Sequence, residues 1–136
     1  MQFFLLLGNQ GAFAAFTGKG ALPIQKFYEQ LEISLSIENH MGELQARFNI
    51  ASVYFRGEKN SEAIDELSRC VDICNTHHWA IELVLCYIGI SRLFRKIGSP
   101  DSREFAEGAH FIANKLGDLK LIGFTKQNLQ QETKKQ

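Results

Sequence analysis

The chain has 136 residues, 45% apolar and 22% charged, which is ordinary for a folded protein and long enough for one domain with a real core. Fifteen Lys and Arg balance fifteen Asp and Glu, which excludes a generally basic nucleic-acid binder and an acidic disordered chain. Three cysteines do not make a disulfide scaffold, and no run reaches the ~20 apolar residues of a membrane helix.

The first element expected is a helix over 2–17. Its start, Phe3-Phe4-Leu5-Leu6-Leu7, has the apolar character of a secretory signal, but no Lys or Arg precedes Lys19, so the basic leading segment is missing. Helices are then predicted over 23–38, 43–56, 60–77, 79–97, 101–116 and 119–133, seven in all. Apolar residues recur at three and four in Phe48, Ile50, Ala51, Tyr54 and Phe55, and again in Ile64, Leu67, Val71 and Cys74. Asn60-Ser61 ahead of Glu62 has the form of an N-cap, and Ser99-Pro100-Asp101 opens the next helix but one. Gly18, Gly57 and Gly98 are expected to close helices in the left-handed conformation.

These helices fall into a repeat. Gly11, Ala51 and Ser91 stand forty residues apart and are all small; three residues later come Ala14, Tyr54 and Phe94, and two residues earlier Asn9, Asn49 and Gly89, with Asn128 suiting the same column. Glu29 to Ser34 matches Arg69 to Cys74 at forty, and Glu107 to Ala113 follows one residue early. A hairpin of two such helices cannot bury its apolar face alone, so the units must stack. The fold expected is all-α, an α-solenoid of helix–turn–helix hairpins in a single domain over 1–136. Its units are 2–40, 41–78 and 79–117, followed by a terminal helix over 119–133.

Asn49-Ile50-Ala51-x-x-Tyr54-x-x-Gly57, followed by Ala63-Ile64 and Leu67-x-x-Cys70-Val71-x-Ile73, resembles the tetratricopeptide repeat. The forty-residue period is similar to the long variant in kinesin light chains, in adaptors with Leu-Gly-Asn repeats and in Rap-type regulators. Leu31-Glu32-Ile33-Ser34 and Met41-Gly42-Glu43 are typical of that variant's link between repeats. The resemblance implies a right-handed superhelix whose first helix in each unit lines a concave, peptide-binding face. Carried over, that face comprises Leu5 and Phe16 in the first unit, Gln45, Phe48, Ser52, Phe55 and Arg56 in the second, and Ile88, Arg92, Arg95 and Lys96 in the third. The positions where a chaperone-tail carboxylate clamp would carry Lys and Asn hold Gly8, Ala12, Phe48 and Ser52 instead.

The function expected is therefore a non-catalytic, cytoplasmic interaction scaffold that binds a peptide or helix with apolar and acidic parts. Two alternatives stand beside it. One is a self-associating assembly module, or part of a longer array, with homo-oligomers formed through the apolar N-terminal helix; the other is a peptide-sensing regulator of the Rap type. No phosphate-binding loop, nucleophile elbow or metalloprotease motif is present, and no cofactor, metal, nucleic acid or membrane is expected as a partner. Cys70, Cys74 and His77 have a metal-compatible spacing, yet the equivalents of the two cysteines in other units are mostly small groups, which favours packing. Behind the neutral total, residues 1–91 carry six basic and ten acidic side chains, and residues 92–136 carry nine and five. An acidic partner for the C-terminal part is the sharper expectation.

Overall fold

The computed structural model describes residues 23–134, and within them the protein is entirely helical: α1 (Ile24–Ser36), α2 (His40–Arg56), α3 (Asn60–His77), α4 (Ala80–Lys96), α5 (Ser102–Leu116) and α6 (Leu119–Lys134). The helix expected over 2–17, with its closing Gly18, lies outside the described residues.

The turns follow one rule. Residues 38, 58, 78 and 98 each adopt a left-handed conformation, with φ of 55°, 61°, 59° and 78°. At each, the following amide donates to the carbonyl five residues back: Asn39 to Ser34, Lys59 to Tyr54, Trp79 to Cys74 and Ser99 to Phe94, at 2.8 to 2.9 Å. The left-handed residue itself donates to the carbonyl three back, so the pair of bonds forms a Schellman closure every twenty residues. Gly57 was expected to be left-handed, but it has φ −84° and the role falls one position later, on Glu58. Gly98 does take it, and Gly117 closes α5 at φ 71°.

Helix starts are less uniform. Asn39 caps α2 by accepting the Gly42 amide at 2.9 Å, so this helix begins three residues before the expected 43. A Cβ on Gly42 would come within 2.5 Å of Ser34 Oγ and 2.6 Å of the capping Asn39 amide, so any larger residue forces those two side chains to move. Asn60 does not cap α3 as expected. It is the first helical residue, and the Ala63 amide donates to the Lys59 carbonyl. Asp118 accepts the Leu121 amide at 3.1 Å at the start of α6.

The chain divides into two compact units, one ending at Ile73 and the other beginning at Cys74. In the first, Phe27 and Leu31 of α1 are buried with Ala46 and Ile50 of α2, flanked by Ile24, Val53 and Tyr54. In the second, α5 packs between α4 and α6. Its buried stripe, Ser102, Ala106, Ala109 and Ala113, is made of small residues that let neighbouring helix axes approach closely. Phe105 fills the space beside it, edge-on to Tyr87 and tilted against Phe94.

Burial repeats along with the turns. At a spacing of forty, Leu44 and Val84, Ala46 and Cys86, Phe48 and Ile88, Ile50 and Ile90, and Ala51 and Ser91 are all buried. At thirty-nine, Ala63, Leu67, Cys70 and Cys74 correspond to Ser102, Ala106, Ala109 and Ala113, again all buried. Pro23 and Gln30, the α1 equivalents of Ala63 and Cys70, are exposed, so the first copy follows the pattern least closely.

Candidate binding surfaces

The residues expected to line a groove fall into three groups. Leu5 and Phe16 lie outside the described residues, as does the N-terminal run expected to form homo-oligomers. Phe48, Ser52 and Ile88 are buried in the helix packing, and Ser52 Oγ donates to the Asn49 carbonyl of its own helix at 2.7 Å. Gln45, Phe55, Arg56, Arg92 and Arg95 are half-buried, and Lys96 is exposed.

Within the first unit, two polar features stand out. Arg47 Nε donates to Glu43 at 2.9 Å and Arg47 Nη1 donates to Glu66 at 3.1 Å, which ties α2 to α3. Burial opposes the Arg47 charge, but the hydrogen bonds to Glu43 and Glu66 prevail and raise its pKa. Tyr28 and Tyr54 share a hydrogen bond of 2.6 Å across α1 and α2. Burial, followed by that bond, pushes the Tyr28 hydroxyl up to about 12. Beside them stands a deficiency. Arg56 Nε and Asn60 Oδ1, a donor at the end of α2 and an acceptor at the start of α3, are both buried and have no hydrogen-bond partner. Such groups are costly, and native structures contain few of them.

In the second unit a polar network links three helices. Ser91 Oγ donates to the Ile88 carbonyl at 2.8 Å and accepts Asn128 Nδ2 at 2.8 Å. Arg95 Nη2 donates to Asn128 Oδ1 at 2.9 Å, and Arg95 Nη1 to Glu132 Oε2 at 2.5 Å. Ser102 Oγ of α5 donates to the other Glu132 oxygen at 2.7 Å. The Arg95 guanidinium, expected to face a partner's acid, is thus engaged by the protein's own carboxylate, and it fastens α6 to α4. Neighbouring Arg92 has its pKa lowered, by burial first and then by the Arg95 charge. At the N-terminal end of α4, burial likewise raises the Glu82 carboxyl, partly offset by its own backbone amide.

A smaller pairing joins α5 to α6: His110 Nδ1 and Thr125 Oγ1 share a hydrogen bond of 2.8 Å, and Thr125 Oγ1 also lies 3.0 Å from the Ile122 carbonyl.

Arg56, Arg92, Arg95 and Lys96 were chosen by sequence, whereas Glu43, Arg47, Glu66, Ser102 and Glu132 were not. The i,i+4 spacings Ser91/Arg95 and Asn128/Glu132 were the visible signal. They put each pair on one helix face without saying that the two faces meet. Cys70, Cys74 and Cys86 are buried free thiols, and Cys70 Sγ lies 3.9 Å from the Leu44 carbonyl. Among the described residues no group of His, Cys, Asp and Glu could hold a metal ion. His77 stacks on Trp79 at 4.7 Å between centroids. No helix among the described residues is long and apolar enough to cross a membrane.

No family model, curated protein or solved structure matches the chain.

Proposed function

We propose that the chain is a tetratricopeptide-like helical-repeat scaffold, an α-solenoid that binds a peptide or helix of a partner protein and carries out no reaction of its own. The observation that carries this reading is the recurrence of one Schellman closure every twenty residues, with the same columns buried in successive helices. Identical turns and matching burial are what stacked hairpins require, because each hairpin relies on its neighbour to cover its apolar face.

The partially open residues of the expected groove suggest what it recognises. Arg56 Nε and Asn60 Oδ1 need an acceptor and a donor respectively, and because both atoms are buried a peptide main chain supplies those groups only if the α2–α3 turn gives way on binding. On the first unit Arg56 provides positive charge for an acidic side chain and Phe55 provides apolar surface; on the second, Arg92 and Lys96 provide positive charge. In this reading Arg95 acts indirectly, by holding α6 in place beside α4.

The test is a titration of the full chain with two fluorescent peptides of equal length, one alternating Leu and Asp and the other Leu and Lys. The acidic peptide is expected to bind, and Arg56→Ala and Lys96→Glu are each expected to weaken it about tenfold or more, the size of one charge-assisted hydrogen bond. Equal binding of both peptides, or of wild type and both variants, contradicts the assignment.

A further inference from the structure

Arg56 ends α2 and Asn60 begins α3, with only Gly57, Glu58 and Lys59 between them. Among the described residues, the buried side-chain polar atoms left without a hydrogen bond are Arg56 Nε and Asn60 Oδ1, a donor and an acceptor on either side of this link. Residues four apart are neighbours on a helix surface, so the two groups would face each other if the link were helical. In the turn they do not meet. Glu58 holds at φ 61° the left-handed conformation that glycine takes at Gly98, although Glu and Lys are good helix formers. The buried faces point the same way. Leu44, Phe48 and Ala51 are buried along one stripe of α2, with half-buried Phe55 next, and Ala63, Leu67, Cys70 and Cys74 form the buried stripe of α3. Successive members are three or four apart, and Phe55 leads to Ala63 by two steps of four through Lys59. One continuous helix would therefore carry both stripes on a single side. The counterpart link between α4 and α5 contains Pro100, which lacks the amide that a continuous helix needs.

We propose that α2 and α3 have a second arrangement, one continuous helix running through residues 57–59, and that this form is a domain-swapped dimer. A straight α2–α3 helix parts the two faces that meet in the hairpin, including the Arg47–Glu66 ion pair of 3.1 Å. A second copy opened in the same way supplies the missing partner for each, so the hairpin contacts are remade between copies. The link meanwhile becomes helical, Glu58 leaves its strained conformation, and the Arg56 Nε–H donates to Asn60 Oδ1. Gly57 holds the chain towards the turn, since among the common residues only proline disfavours a helix interior more. A peptide that takes the same two atoms competes with this helix, so the test is made without peptide and its failure leaves the groove reading standing.

The full chain is concentrated, warmed close to its melting temperature, cooled, and diluted for sedimentation. A swapped dimer must partly unfold to separate, so a dimer that persists on dilution is expected. In the isolated dimer, hydrogen exchange at the Asn60, Ser61 and Glu62 amides should slow about tenfold or more, because these first-turn amides lack an intrahelical acceptor in the hairpin and gain one in the continuous helix. Gly57→Ala should raise the dimerisation constant about tenfold or more, since each dimer contains two such links. Asn60→Pro should abolish the dimer and leave the monomer's circular dichroism unchanged, because proline suits the first position of a helix and breaks its interior. Glu58→Gly provides a second disruption, easing the turn and disfavouring the helix. A wild type that stays monomeric throughout overturns the proposal. So does a dimer whose 60–62 amides exchange as in the monomer, or one that survives Asn60→Pro or is unmoved by Glu58→Gly.

Discussion

Arg47 in the first unit and Arg95 in the second are both half-buried arginines held by carboxylates, and they do different things for their units. Arg47 takes its nearest carboxylate from Glu43, one turn back on its own helix, and reaches Glu66 nineteen residues on. All three side chains of that triad retain 14–18% exposure. Arg95 takes its carboxylate from Glu132, thirty-seven residues away, whose side chain is 6% exposed and whose second oxygen is bonded to Ser102. The first cluster reinforces a helix and leans on its neighbour, whereas the second joins three helices around a Glu132 carboxylate more buried than either acid of the first, with Arg95 at 12% exposure close to Arg47 at 14%. A buried charge becomes costly mainly when it loses its counter-charge, so the two arginines should respond very differently to removal.

The largest expected effect follows from that difference. Arg95→Ala leaves Glu132 buried and uncompensated and should cost about 3–5 kcal/mol, whereas Arg47→Ala should cost about 1–2 kcal/mol because water reaches its partners. Chemical denaturation of the two variants against wild type checks this, and equal losses would mean that the clusters are equivalent. Replacing both Arg95 and Glu132 by Met and Leu should recover most of the loss, since an apolar pair of similar volume leaves no orphaned charge.

Gly42→Ala disturbs the first unit alone. Its methyl group would meet Ser34 and the Asn39 cap, at a cost of about 1–3 kcal/mol. Hydrogen exchange should place the loss in α1 and α2, with the α4–α6 amides unchanged. Smaller effects belong to the shared turns. Gly98→Ala forces a side chain into the left-handed region and should destabilise by about 1 kcal/mol, while Glu58→Gly relieves the same strain and should stabilise by about 0.5 kcal/mol after the entropy glycine loses on folding. Opposite signs in thermal melts support one common turn; the same sign in both would contradict it.

The smallest effect is the dependence on alkali in the first unit. Folding raises the Tyr28 hydroxyl from 10.0 to about 12. The neutral hydroxyl is therefore favoured in the folded state, so its contribution is complete below pH 10 and is lost as pH rises through about 12. Tyr28→Phe should flatten the stability profile in that window relative to wild type. A profile that falls equally steeply in the variant would place the sensitivity elsewhere.

Helix positions were legible because apolar spacing and glycine punctuation report on local structure, and five of the six described helices begin within a residue of expectation. The exception, α2, starts early because Asn39 caps it, a signal hidden by the link-like Met41-Gly42 that follows. The left-handed turns were legible only at Gly98. At Glu38, Glu58 and His78 the surrounding closure imposes a conformation that the residue type does not advertise. The candidate site was less readable. The resemblance to the repeat selected Arg56, Arg92, Arg95 and Lys96, but only the fold shows that Arg95 faces Asn128 and Glu132 from a distant helix while the Arg56 Nε goes unmatched.

That unmatched donor offers the most direct test of the scaffold account. Titrating the full chain with the Leu/Asp peptide and following the Arg56 side-chain Nε–H resonance by NMR reports the proposed contact itself. The account predicts a saturable shift of that resonance, at the same midpoint as peptide binding and absent with the Leu/Lys peptide. Saturable peptide binding that leaves the Arg56 resonance in place would contradict it.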